Sequence, residues 1–114
     1  MNLSSTQTPA ATVITAADSR IDASVAIQFK DKMRELTNGV SGRIVLDLSS
    51  VDFIDSSGLG SVVAALKQLD DGQSLELAAL SPTVAKVFRL TRMDKVFPIH
   101  DSVEAALDTY ANAS

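Results

Sequence analysis

Cysteine and tryptophan are absent from this chain, and histidine and tyrosine occur once each. Without cysteine there is no disulfide framework and no thiol nucleophile, and a reducing compartment fits. With a lone imidazole, His100, and no thiolate, only carboxylates remain as metal ligands; Asp52 and Asp55 lie on a turn without a dense oxygen-ligand pattern. No apolar run approaches the roughly 18 residues of a membrane span. The start, Met1-Asn2-Leu3-Ser4-Ser5, has neither the basic flank nor the apolar core of a signal peptide, so the expected location is cytoplasmic. Net charge is −4, and an acidic chain lacks the positive field that nucleic-acid binders use, which argues against direct DNA or RNA contact. Lys86, Arg89, Arg92 and Lys95 do cluster; they read either as a solvated helix face or as a local partner patch.

What is present is a folded domain. Apolar residues make up 46% of the 114 and charged residues 21%, a globular balance on a length suited to one core. Residues 1–10 form a polar segment or an edge strand interrupted by Pro9, and residues 11–114 the domain proper. Thr12-Val13-Ile14-Thr15 is strand-like, so two N-terminal strands joined near Pro9 are expected. Asp22 is placed to cap a helix carrying Val25, Phe29, Met33 and Leu36 at helical spacing, stopped by Asn38-Gly39. Arg43 to Leu48 is a nearly continuous apolar run, as in a strand covered on both faces. A second helix, from about Ser57 to Leu69, turns Leu59, Val62, Val63, Leu66 and Leu69 inward. Its other face, Gly60, Ser61, Ala64 and Ala65, is small and uncharged, open to a partner or packed against the chain's own sheet. Ser74 to Leu80 is the next strand. Ser81-Pro82 opens a third helix with Val84, Val87 and Phe88. Val96 to Ile99 forms an edge strand because Pro98 cannot donate to a ladder. Asp101-Ser102-Val103-Glu104 resembles a capping box opening a last helix with Val103, Ala106, Leu107 and Tyr110. Strands alternating with helices predict an α/β domain: a central, mostly parallel sheet of four or five strands with about four helices.

The richest stretch is Asp55-Ser56-Ser57-Gly58-Leu59-Gly60, at a strand-to-helix junction. A helix start leaves unpaired N–H groups and positive potential, which suit a phosphate. Phosphorylation of Ser56, with Ser57 as second candidate, would add about −1.5 to −2 charge there. The fold would tolerate that charge; a protein docked on the same spot would not. Gly58 and Gly60 would clear side chains from beside the hydroxyl. Other readings compete. Either serine serves as a helix cap, worth about 1 kcal/mol. Gly58 and Gly60 match the first two glycines of a dinucleotide fingerprint, but the third is missing. A nucleophile elbow would need glycine where Ile54 stands, and a nearby histidine base.

These residues resemble a STAS domain of the bacterial anti-sigma factor antagonist family. The resemblance is carried by Ile44 to Leu48, then by Val51-Asp52-Phe53-Ile54-Asp55-Ser56-Ser57-Gly58-Leu59-Gly60. Weaker matches follow at Ser81-Pro82, Val84, Phe88, Leu90, Phe97 to Ile99 and Ala105 to Leu107. The resemblance implies a partner-switching protein rather than an enzyme. Unphosphorylated, it would bind an anti-sigma factor that is also a serine kinase of the GHKL type, freeing the sigma factor. That kinase would phosphorylate Ser56, and a PP2C-type phosphatase would restore it. ATP and Mg²⁺ would belong to the kinase, leaving no cofactor here. The implied partner surface comprises Asp22, Asp55, Ser56, Ser57, Gly58, Leu59, Gly60 and Ser61. Where the family usually has a glycine and an acidic residue shortly before Asp22, this chain has Ser19 and Arg20. The alternative is a non-switching STAS subunit of a lipid-transport or other signalling complex.

Overall fold

The computed structural model describes the backbone of residues 1–113 and the side-chain surroundings through Asp108. The side chain of Tyr110, read as part of the last helix, lies outside the described side chains. Strands β1 (Leu3–Gln7) and β2 (Thr12–Ala16) form an antiparallel hairpin. Thr8 closes the turn by accepting from the N–H of Ala10 and Ala11 and donating to the carbonyl of Ala11. β2 continues into a parallel array with β4 (Gly42–Asp47), β6 (Gln73–Ala78) and β7 (Ile99–His100), in the order β1-β2-β4-β6-β7. The mostly parallel five-stranded sheet expected from the alternating pattern is thus observed. β7 is an edge strand, and it begins at Ile99, after Pro98 rather than through it.

Period-2 alternation assigns the two sheet faces. Ile44 and Leu46 of β4, Ile14 of β2, and Leu75 and Leu77 of β6 enter the larger core, with Phe29, Met33, Val62, Val84, Phe88 and Phe97. Helices α1 (Ala26–Thr37), α2 (Ser56–Lys67) and α3 (Pro82–Leu90) supply that layer. Each fully buried phenylalanine there contributes on the order of 2–3 kcal/mol of burial. Phe88 and Phe97 meet edge-to-face at 6.1 Å. On the opposite face Val45, Val13, Ala11 and Ala78 pack beneath Ala106 of α4 (Val103–Ala113). Arg43 and Glu76 share this face. Two 2.7 Å bonds join them, Nε to Oε2 and Nη2 to Oε1. Arg43 Nη2 also donates to the carbonyl of Ala106 at 2.9 Å, and His100 Nε2 lies 2.7 Å from Glu76 Oε1. The ion network thereby fastens α4 to the sheet.

Two helix starts differ from the sequence expectation. Asp22 does not cap α1, which begins four residues later at Ala26 behind an uncapped Val25. The carboxylate of Asp22 is turned instead onto Ser24, whose N–H and hydroxyl it accepts. The start of α4 is capped by Ser102, whose Oγ accepts from the N–H of Ala105, rather than by an Asp101–Glu104 box. Ser81 caps α3 as read, accepting from Val84 N–H ahead of Pro82. Among the described residues no helix is long and apolar enough to cross a membrane.

Candidate phosphoacceptor site

A second, two-stranded parallel sheet builds the site. β3 (Arg20–Ile21) lies beside β5 (Phe53–Ile54), with Arg20 opposite Phe53 and Ile21 opposite Ile54. Buried Ile21 and Ile54 anchor it to the core. The carbonyl of Ser19 accepts from Asp52 N–H at 2.8 Å and Phe53 N–H at 3.3 Å. Arg20 lays its guanidinium over the Phe53 ring, 4.2 Å from the centroid, and donates from Nε to Asp22 Oδ2 at 3.2 Å. Ser19 and Arg20, the two departures from the family pattern, thus have defined places in the turn.

This pairing sets the Asp22 loop against the start of α2. Asp55 is the N-cap: its Oδ1 accepts from Gly58 N–H at 2.8 Å. Its Oδ2 accepts from Ala23 N–H at 3.2 Å, so one carboxylate ties the helix start to the loop before α1. Because Asp55 caps the helix, neither Ser56 nor Ser57 has that duty. Both serines are exposed, and among the described residues no hydrogen bond to protein engages either hydroxyl. Their N–H groups precede the first bond of the helix, Leu59 N–H to the Asp55 carbonyl, and so keep the donor capacity of a helix start.

Two of the expected surface residues lie beneath it. Gly58 is buried, and a Cβ at its position would stand 1.9 Å from the Ile21 carbonyl oxygen. Its missing side chain allows α2 to touch β3; it does not open a path to the hydroxyl. Ser61 is buried too, and donates to the Gly58 carbonyl at 2.6 Å. Ser61 and Ala65 turn inward with Val62, so half of the small face of α2 is used inside the chain, while Gly60 and Ala64 stay at the surface. Asp22, Asp55, Ser56, Ser57 and Gly60 remain at least partly accessible, and Leu59 is half-buried.

The rim carries the carboxylates Asp22, Asp52 and Asp55; the Arg20 guanidinium is bonded to Asp22, and Lys30 lines the hollow next to Ser57. The hydrogen bond from the Ser24 hydroxyl, followed by that from Arg20, lowers the pKa of Asp22 below its usual value. Beside the serines is a shallow hollow of about 250 Å³ between α1 and α2, lined by Ala26, Ile27, Lys30, Ser57, Gly60 and Ala64 among others. Ile27 is 72% exposed and Phe53 37%. Sequence reasoning passed over Ile27, whose signal was an isoleucine standing off the Val25-Phe29-Met33 stripe. Among the described residues no group of His, Asp and Glu is arranged to hold a metal ion.

Comparison with known proteins places this arrangement. The profile of the STAS domain family matches residues 2–106. BtrV of Bordetella bronchiseptica, provisionally named an anti-sigma factor antagonist, is 40% identical over 72 residues, 62% of each chain. The chain thus covers less than two thirds of that relative's length. The anti-sigma-B factor antagonist of Listeria monocytogenes is 35% identical over 82 residues, 69% of this chain and 70% of that one. Among solved structures, the unphosphorylated form of the Bacillus anti-sigma factor antagonist SpoIIAA superposes with a TM-score of 0.74 at 24% identity, covering 97% of both chains. Its phosphorylated form gives 0.66, also at 24%, covering 95% of this chain and 98% of that one. With the family profile spanning every strand and the helices α1 to α3, the chain belongs to the STAS domain family, among the anti-sigma factor antagonists.

Proposed function

We propose that this protein is an anti-sigma factor antagonist whose docking face is switched by phosphorylation at Ser56. The observation that carries the reading is the division of labour at the start of α2: Asp55 caps, and the adjacent Ser56 hydroxyl is exposed and uncommitted. The partner is an anti-sigma factor with serine-kinase activity of the GHKL type, which brings ATP and Mg²⁺. Ser56 Oγ attacks the γ-phosphorus. The new Oγ–P bond replaces the bond to the β-phosphate oxygen, ADP leaves, and the hydroxyl proton passes to a base of the kinase. A PP2C-type phosphatase hydrolyses the ester and returns the serine. SpoIIAA, with a structure in each phosphorylation state, supports the reading by likeness.

Unphosphorylated, the face offers apolar anchors, Ile27 and Phe53, beside the acidic rim of Asp22, Asp52 and Asp55. Burying Ile27 contributes about 1.5–3 kcal/mol. Basic groups on the partner would match the rim. A phosphate at Ser56 meets the N–H groups of the helix start, so the domain tolerates it. In the docked complex, the same charge is taken from water beside three carboxylates. A mispaired charge in an interface costs about 2–5 kcal/mol, enough to release the partner. Asp22, Asp55, Ser56, Ser57, Leu59 and Gly60 are the proposed contacts; Gly58 and Ser61 support them from beneath.

The test is incubation with a GHKL-type serine kinase of the same organism and Mg-ATP, followed by intact mass and tryptic mapping. One phosphoryl group on Ser56 is expected, none on a Ser56→Ala protein, and retained kinase binding by Ser56→Ala but not Ser56→Asp. Equal binding by both variants and the parent would instead indicate a non-switching STAS subunit.

A further inference from the structure

Among the described residues five large apolar side chains are exposed: Ile27, Phe53, Leu90, Val96 and Ile99. The first two flank the serine site. The other three fall within ten residues of one another, at 70%, 47% and 38% exposure, on the run formed by the end of α3, a short 3₁₀ turn (Met93–Lys95) and β7. They share that run with Lys86, Arg89, Arg92 and Lys95, all exposed. Among the described residues none of these four cations has an ion-pair partner.

The spacing orders them. Lys86, Arg89, Arg92 and Lys95 recur every third residue, as do Leu90, Met93, Val96 and Ile99. Backbone bonds hold much of that period: Arg92 N–H to Arg89 C=O at 3.2 Å, Lys95 N–H to Arg92 C=O at 3.1 Å, and Val96 N–H to Met93 C=O at 3.0 Å. In the 3₁₀ turn the i→i+3 period brings every third residue back to one side, while Lys86, Arg89 and Leu90 stand on the preceding α-helix and Ile99 on β7. Arg92 sits at φ +62°, a left-handed conformation that non-glycine residues adopt uncommonly. Met93 packs onto the core, which ties the apolar row to the domain.

We infer that this face of α3, the 3₁₀ turn and β7 is a second docking surface, fitted to an acidic amphipathic helix of a partner protein. The segment from Lys86 to Ile99 carries four cations against one carboxylate, Asp94, in a chain of net charge −4. That local +3 leaves −7 on the rest, so the complementary surface is acidic and compact. An anionic bilayer would repel most of this molecule while attracting only this strip. A helix with leucines at i, i+3, i+4 and i+7 and flanking glutamates meets both rows at once. α3 leaves the same end of the sheet from which α2 starts and runs back roughly 13 Å. Leu90 and the turn beyond it lie at the C-terminal end of α3, opposite the end that leaves the sheet. Occupancy here is independent of the charge at Ser56, and a partner can stay attached here through a phosphorylation cycle.

The probe is a synthetic, fluorescently labelled amphipathic helix of that pattern, titrated by anisotropy with the full chain. Binding is expected at low salt, weakening as salt rises. It should fall about tenfold or more in a protein carrying K86E, R89E, R92E and K95E, since each 1.4 kcal/mol lost is tenfold. A separate L90S variant, changing one exposed side chain, should weaken binding with the same unfolding midpoint as the parent. S56D should bind the peptide like the parent, which separates this proposal from the phospho-switch. No binding, or equal binding by the parent and the charge-reversed and L90S proteins, overturns it. So does flotation of the protein with phosphatidylglycerol vesicles when the peptide is ignored, which would make the face a lipid surface.

Discussion

Replacing Gly58 by alanine tests how closely α2 is pressed onto its neighbour β3. The added methyl would lie 1.9 Å from the Ile21 carbonyl oxygen, 2.7 Å from its carbon and 3.0 Å from Ile54 Cγ1. A relaxed carbon–oxygen approach is about 3.3 Å, so α2 and β3 must part by more than about 1 Å. The obstructing atoms are backbone, in a strand whose side chain is fully buried, and no rotamer change relieves them. Parting the two also stretches the bond from Asp55 N–H to the Ile21 carbonyl, already 3.4 Å, and that from Ala23 to Asp55. Overpacking costs about 1–3 kcal/mol and a lost hydrogen bond about 1, offset by about 1 from alanine's better helix propensity. The net expectation is a loss of about 1–3 kcal/mol. Gly60, two residues on, is the control: nothing lies within 4 Å of a Cβ there, so Gly60→Ala should gain about 0.5–1 kcal/mol. Urea unfolding at unchanged m-value reads the two against the parent. A Gly58→Ala protein as stable as the parent would refute the close approach and, with it, the site geometry.

Further expectations follow from the same contacts. Asp55→Ala removes the cap and the tie to Ala23 together, and should lower stability by about 1–2 kcal/mol in denaturant melts, with Asp55→Asn keeping most of it. Ile27→Ser should leave the melting curve within about 0.5 kcal/mol of the parent while weakening binding of the proposed kinase partner in calorimetry at least tenfold. The Arg43 guanidinium, joined by His100, holds Glu76 below its ordinary value of 4.5 against the opposing effect of burial. A carboxyl lowered on folding gives its full stabilisation above the unfolded value and loses it as pH falls through the folded one. The parent should therefore lose stability on acidification below about pH 4.5 more steeply than Glu76→Gln. At neutral pH that variant should itself be weaker by about 2 kcal/mol for leaving Arg43 short of a partner.

The large elements were legible because each has a local signature. Ile44-Val45-Leu46 is apolar on both faces and becomes the central strand; Ser81-Pro82 announces α3; Asp55-Ser56 marks a junction. β3 and β5 were not legible, since two residues each carry no periodicity and their pairing joins positions 33 residues apart. Without that pairing Asp22 looked like a helix cap, and its true role, turned onto Ser24 beside the serine site, stayed hidden. Gly58 and Ser61 were misplaced for a related reason. A stripe of small residues marks close approach, but only the tertiary contact says whether the chain or a visitor makes it. Arg43, Glu76 and His100 are separated by 33 and 24 residues, and their polar letters inside strands gave no sign that one face of the sheet would gather them.

The two faces of the sheet are clothed unequally. Three helices cover one, while the other has α4 alone, resting on alanines and valines and latched by a guanidinium to the Ala106 carbonyl. Small side chains yield little surface when uncovered, so detaching residues 103–108 exposes few greasy atoms and leaves the principal core whole. That side is therefore expected to open first. Amide exchange there should outrun exchange in β4 and β6, and brief excursions of the last helix should carry little risk of clumping.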